Sequence, residues 1–245
     1  MAKLYFYYAS MNAGKSTTLL QADFNYRERG METMLWTAAL DDRYGAGQIT
    51  SRIGLLADAR KFDPDSDLWA AVQAENRQRP LACVLVDEAQ FLSRAQVLDL
   101  ARLADEAIIP VLCYGLRTDF AANLFPGSAA LLGLADALIE LKAVCECGRK
   151  ATMNLRVDAD GRAVVEGAQT EIGGNDRYVA MCRRHFMQKR REAAEVKAPA
   201  DACPPPCRTC RRRPRARQAD RGTPRGAPRG LRRRRGYLAD LFGQL

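Results

Sequence analysis

Residues Ala9-Ser10-Met11-Asn12-Ala13-Gly14-Lys15-Ser16 follow directly on the apolar run Leu4-Tyr5-Phe6-Tyr7-Tyr8 and precede Thr17-Thr18-Leu19-Leu20-Gln21-Ala22, so the chain opens as strand, loop, helix. Leu19, Ala22 and Tyr26 recur at the spacing of one buried helical face. A loop of this composition in this place is built to grip phosphate. Gly14 lets the backbone approach phosphate oxygens, and the amides around it point inward as a nest. Lys15 reaches the terminal phosphates, and the Ser16 hydroxyl can ligate Mg²⁺. The first position is Ala9 where glycine is usual, which gives up torsional freedom.

The same alternation continues. Thr33–Ala38 reads as a second strand, followed by an irregular stretch containing Asp41-Asp42-Arg43-Tyr44-Gly45-Ala46-Gly47. A helix is expected over 68–77 and is closed by Pro80. Leu81-Ala82-Cys83-Val84-Leu85-Val86 is a continuous apolar run of the kind buried on both faces of a parallel sheet. A helix over 94–107, a strand over 111–114, a helix over 124–135 and a strand over 137–141 complete a doubly wound α/β domain assigned to residues 1–142.

Asp87-Glu88-Ala89-Gln90 ends the apolar strand at 81–86. In an open parallel sheet this puts both carboxylates at the carboxyl edge, beside the phosphate loop. Asp87 suits Mg²⁺, directly or through water, and Glu88 is left for a general-base role toward an attacking hydroxyl or water.

From Cys145 the character changes. Short β-like pieces at 151–156 and 163–166, joined by the turn Asp158-Ala159-Asp160-Gly161, lie between Cys145-x-Cys147 and Cys182-x-x-His185. Four soft ligands in two close pairs suit tetrahedral Zn²⁺, held structurally in a small ribbon-like module over 143–197. Cys83 and Cys113 sit inside apolar runs and read as buried small hydrophobes. The net charge of +9 is concentrated beyond residue 197, where arginine and proline dominate, and the preceding body is nearly neutral. A basic fold for nucleic acid is therefore not indicated. Residues 198–245 are expected to be disordered and dispensable; their Arg, Pro, Ala and Gly content resembles GC-rich DNA translated in a shifted frame. Cys203, Cys207 and Cys210 in that tail lack a fourth ligand. Apolar runs fall far short of the roughly 20 residues that span a bilayer, and a cytoplasmic location is expected.

Taken together, Met11–Ser16, Val86–Phe91, Cys113–Phe120 and Gly173–His185 resemble the type II thymidine kinases, close to the enterobacterial members, over about residues 3–189. The resemblance implies ATP-dependent phosphorylation of the thymidine 5′-hydroxyl, with deoxyuridine as a second substrate. It assigns Glu88 as proton acceptor, Ala9–Ser16 and Asp87–Gln90 to ATP, and Asp87 to Mg²⁺ through water. Phe91 and Phe120 would wall the thymine. A lasso around 169–178, with Ile172, Gly173, Gly174 and Tyr178, would close over the nucleoside. Asp42 and Arg43 would lie beside the phosphates. Cys145, Cys147, Cys182 and His185 match the family's zinc ligands. A homotetramer and feedback inhibition by dTTP are also implied. The competing reading is a nucleic-acid-dependent P-loop ATPase with a zinc ribbon, since Asp87–Gln90 resembles the acidic box of RNA helicases. Such helicases pair two α/β domains, and only one is present in the sequence.

Overall fold

The computed structural model describes residues 1–40, 47–169 and 177–197, with side chains to residue 195. The described residues belong to one compact unit. The tail proposed to be disordered or frame-shifted lies outside the described residues, as do Asp41–Ala46 and the segment 170–176.

The apolar runs become strands of one sheet. In chain order the elements of the body are β1 (Leu4–Ala9), α1 (Lys15–Glu28), β2 (Glu32–Ala38), β3 (Gln48–Thr50), β4 (Leu56–Asp58), β5 (Arg60–Phe62), α2 (Leu68–Gln78), β6 (Leu81–Val86), α3 (Arg94–Asp105), β7 (Val111–Leu116), α4 (Pro126–Leu134) and β8 (Ala137–Glu140). Six of the strands form a sheet of order β5-β2-β6-β7-β1-β8, parallel throughout. Because strand side chains alternate, β1, β2, β6 and β7 feed two cores. Phe6, Trp36, Val84 and Val111 face Leu68, Val72, Leu100 and Leu131 from α2, α3 and α4. Leu35, Cys83, Leu85 and Tyr114 face Leu19 and Leu20 of α1 on the other side. Cys83 and Cys113 are fully buried, as their surroundings in sequence imply.

The second part of the unit comprises β9 (Ala143–Val144), β10 (Lys150–Ala151), β11 (Met153–Arg156), β12 (Tyr178–Met181) and α5 (Arg183–Lys197). Its small core is Cys145, Ala151, Met153, Leu155, Met181, Cys182 and Phe186.

Several sequence expectations are corrected. Of the two β-like pieces expected, 151–156 supplies part of β10 and all of β11, which pairs with β12, while 163–166 forms no strand and contributes the isolated bridge Val157–Ala163. The helix expected over 124–135 spans Pro126–Leu134, because proline is favoured at the first helical position. The stretch after β2 holds three short strands, of which β5 joins the main sheet beside β2. Helix α5 has no counterpart in the sequence reading.

Helix α4 packs tightly on the 3-10 turn Ala89–Phe91 that follows the acidic pair. A Cβ on Gly127 would lie 2.5–2.9 Å from the carbonyl oxygens of Ala89, Gln90 and Leu92. Gly127→Ala is expected to destabilise the protein by about 1–3 kcal/mol through overpacking. The urea midpoint measures this, and an unchanged midpoint would show that the turn yields without cost.

Candidate active site

The site forms where β6, β7 and β1 end side by side at the carboxyl edge of the sheet. Beyond β1 the chain turns through Asn12 and Gly14, both at positive φ (63° and 80°), and Gly14 is the N-cap of α1. These torsions suit asparagine and glycine. Lys15 Nζ donates to the Ser10 carbonyl oxygen at 3.0 Å, folding the side chain back across the loop.

The two motifs recognised separately in the sequence meet directly. Ser16 Oγ donates to Asp87 Oδ2 at 2.8 Å. Asp87 Oδ1 also accepts from the Glu88 amide at 3.0 Å. Burial, then the neighbouring Glu88 charge, pushes the Asp87 carboxyl up to about 7, while the Ser16 and Glu88 hydrogen bonds and Lys15 pull it down. A cation beside Asp87 acts in the same downward direction. Glu88 sits in the left-handed region at φ 51°, ψ 35°, a conformation costing a non-glycine residue about 1–2 kcal/mol. Gln90 Nε2 donates to Glu88 Oε2, and Gln90 Oε1 accepts from the Leu116 amide at 2.9 Å. The amide of Gln90 is thereby fixed in orientation, and it aims the carboxylate. Gly115 makes room, since a Cβ there would come within 2.9 Å of Gln90 Oε1.

A second cluster gathers Cys145, Cys147, Cys182 and His185, whose donor atoms all lie within 4.8 Å of one another. Cys147 Sγ and Cys182 Sγ are 3.8 Å apart, and Cys145 Sγ lies 3.5 Å from His185 Nδ1. Tetrahedral zinc at ordinary bond lengths requires S···S separations of about 3.8 Å and S···N separations of about 3.5 Å. The donor set therefore fits zinc in both chemistry and size. Burial opposes ionisation of Cys145, yet hydrogen bonds from the Cys147 and Cys182 backbone and from His185 outweigh it and hold the thiol down to about 6. A thiol inclined to thiolate is what a metal ligand needs.

The family described as "Thymidine kinase" matches residues 2–186. Thymidine kinase of Novosphingobium aromaticivorans is 76% identical over 188 residues, which is 77% of this chain and 98% of that relative. Thymidine kinase of Zymomonas mobilis is 64% identical over 189 residues, 77% of this chain and 98% of the relative. That of Shigella dysenteriae, an enterobacterium, is 57% identical over 196 residues, 80% of this chain and 94% of the relative. The chain belongs to the thymidine kinase family. These relatives are matched almost end to end, while about a fifth to a quarter of this family member stands outside the match.

In this family member, the residues expected to face a nucleoside are distributed as follows. Phe91 packs edge-on against Phe125, with ring centroids 5.8 Å apart. Phe120 follows β7 and is buried under Arg156, whose guanidinium carbon is 3.8 Å from the ring centroid. Tyr178 is half-buried in β12, paired in register with Arg156. Ile172, Gly173, Gly174, Asp42 and Arg43 lie outside the described residues.

Two residues of β11 were not singled out by sequence. Asn154, 1% exposed, accepts from the Met11 amide at 2.7 Å and donates to the Thr118 carbonyl oxygen at 3.1 Å. Arg156 is 4% exposed. Ser10 Oγ also donates to the Ala151 carbonyl oxygen at 3.3 Å, so the phosphate loop of the family member is tied to the Cys/His lobe twice. The one signal in the sequence was polar residues at alternate positions of a short strand, which ordinarily marks a solvent face. Asn154→Ala would leave the Met11 amide and the Thr118 carbonyl without this partner. A loss of about 1–3 kcal/mol is expected in urea unfolding, and wild-type stability in this variant would exclude the link.

Proposed function

We propose that this chain transfers the γ-phosphoryl group of ATP to the 5′-hydroxyl of thymidine, giving ADP and thymidine monophosphate, with deoxyuridine as a second acceptor. The observation that carries the proposal is the 2.8 Å Ser16–Asp87 hydrogen bond, with Glu88 next in sequence. It joins the phosphate loop and two carboxylates in one crevice of a thymidine kinase family member.

In this reading Ala9–Ser16 and Asp87–Gln90 bind ATP, with Lys15 on the terminal phosphates. Ser16, and Asp87 through water, would hold Mg²⁺, which would offset the charge that develops on the phosphates. Glu88 accepts the 5′-hydroxyl proton as that oxygen bonds to phosphorus and the bond to the ADP oxygen breaks. Gln90 keeps the Glu88 carboxylate in its direction. Phe91 and Phe120 wall the thymine, while Ile172, Gly173, Gly174 and Tyr178 contact the nucleoside. The body over 1–142 supplies the donor half, and the lobe over 143–197 covers the acceptor and excludes water that would hydrolyse ATP. Cys145, Cys147, Cys182 and His185 would hold a structural Zn²⁺ that ties the lobe together. A homotetramer, inhibition by dTTP, a cytoplasmic location and no need for nucleic acid belong to the same reading. Among the described residues no helix is long and apolar enough to cross a membrane.

Purified protein supplied with Mg-ATP and labelled thymidine, with and without RNA, tests the reaction. Thymidine monophosphate formed without RNA is the expected result. RNA-stimulated ATP hydrolysis without that product would instead assign the chain to the nucleic-acid-dependent ATPases. Glu88→Gln is expected to bind ATP normally and to lose on the order of 10² or more in turnover; near-normal turnover would remove Glu88 from the role.

The metal has its own check. Elemental analysis is expected to find one zinc per chain, and Cys182→Ala is expected to lose it and to exchange backbone hydrogens faster over 143–157. Protein free of zinc whose exchange is the same in both forms would contradict the assignment.

A further inference from the structure

Arg156 is a buried cation, 4% exposed, and none of the chemistry above employs it. Its guanidinium carbon stands 3.8 Å from the centroid of the Phe120 ring, and Phe120 is itself only 3% exposed. The same guanidinium donates through Nη1 to the Ala168 carbonyl oxygen and through Nη2 to the Glu166 carbonyl oxygen, both at 3.1 Å. One planar group therefore holds an aromatic ring by its face and a stretch of backbone by two carbonyls. Neighbouring contacts reinforce the arrangement. Gln169 Nε2 donates to Asp119 Oδ2 at 3.0 Å, and Arg190 of α5 donates to the Phe120 carbonyl oxygen at 3.2 Å. Gly167, between the two carbonyls, has φ 140°, and a Cβ there would run into Arg156 Nη2. The backbone at 166–168 is thus shaped around the guanidinium.

We infer that Arg156 is a positioning residue for the nucleoside, locking the Phe120 ring and the backbone at 166–168 into one unit. The inference rests on the proposed function, in which Phe120 walls the base. Lysine cannot substitute, because a point charge on a flexible stem lacks the planar fork that makes both carbonyl bonds while stacking on the ring.

The test uses the full chain carrying Arg156→Lys, with Gly167→Ala as a second variant that leaves Arg156 intact and crowds its guanidinium. Thymidine KM is expected to rise on the order of tenfold in both, with ATP KM within about twofold and kcat at saturating thymidine within about threefold. Hydrogen exchange over 166–169 is expected to quicken in both. A buried arginine serving stability alone would move both KM values together or neither, and either pattern overturns the inference. Should the unaltered protein phosphorylate no thymidine, the proposed function fails. Exchange in Arg156→Lys then decides the anchoring by itself: faster over 166–169 supports it, unchanged overturns it.

Discussion

Parallel strands end on the same edge, and the positions of this chain's reactive groups follow from that constraint. With β6, β7 and β1 adjacent, the acidic pair after β6, the Thr118–Phe120 turn after β7 and the phosphate loop after β1 must emerge as neighbours. The register brings Ala9 beside Leu116, so β1 and β7 end level, while Val86 beside Cys113 ends β6 three residues earlier and leaves room above it for the acidic pair. The cost is electrostatic. Two consecutive carboxylates are set at a mostly buried edge, and Asp87, 4% exposed, resists ionisation there. Such an edge is suited to positive charge, from Lys15 on one side and from a divalent ion on the other, because each favours the ionised carboxylate.

The lobe beyond residue 142 faces the opposite difficulty. Seven buried residues make up its core, and two of them are cysteines of the metal-ligating set. So small a core cannot offset the entropy of ordering its loops. An ion bound by Cys145, Cys147, Cys182 and His185 would contribute on the order of 10 kcal/mol, as structural zinc does in other small modules. The two halves of the cluster lie at the ends of the lobe's strands. Cys145 and Cys147 lie between β9 and β10, Cys182 directly follows β12, and His185 lies in the first turn of α5. One ion would therefore fix strands and helix together.

Much of this was legible in the residues. The octet Ala9–Ser16, the pair Asp87–Glu88 and the four residues of the Cys/His cluster stand out by their spacing, and the apolar runs that became β1, β2, β6 and β7 are long enough to be strands covered on two faces, while β8 is a short, partly exposed edge strand. What escaped was short or depended on distant chain. Strand β5 has three residues, and only Phe62 among them is fully buried, so hydrophobic pattern cannot announce it. Helix α5 is mostly exposed and arginine-rich, with Phe186 as its buried anchor. In β11 the alternation of Met153 and Leu155 with Asn154 and Arg156 correctly says which side chains share a face. It says nothing of what covers the polar face, because the Met11 and Thr118 backbone that meets Asn154 comes from other elements more than thirty residues away.

That polar face joins two parts of the candidate site that are far apart in sequence, the loop after β1 and the turn after β7. Positions 154 and 156 point to the same side of one strand. Asn154 engages the phosphate loop, and Arg156 engages Phe120 and the backbone at 166–168. The loop after β1 and the turn after β7 are thus engaged by residues two apart on a single strand. The spacing holds only while β11 keeps its register with β12, Met153 opposite Met181 and Arg156 opposite Tyr178. A slip of one residue would turn both polar side chains to the opposite face. Met181 is followed at once by Cys182, so the metal cluster lies next to the pair that sets this register. The spacing between the Met11 contact and the Phe120 contact therefore depends on the pairing within the small lobe as much as on the sheet.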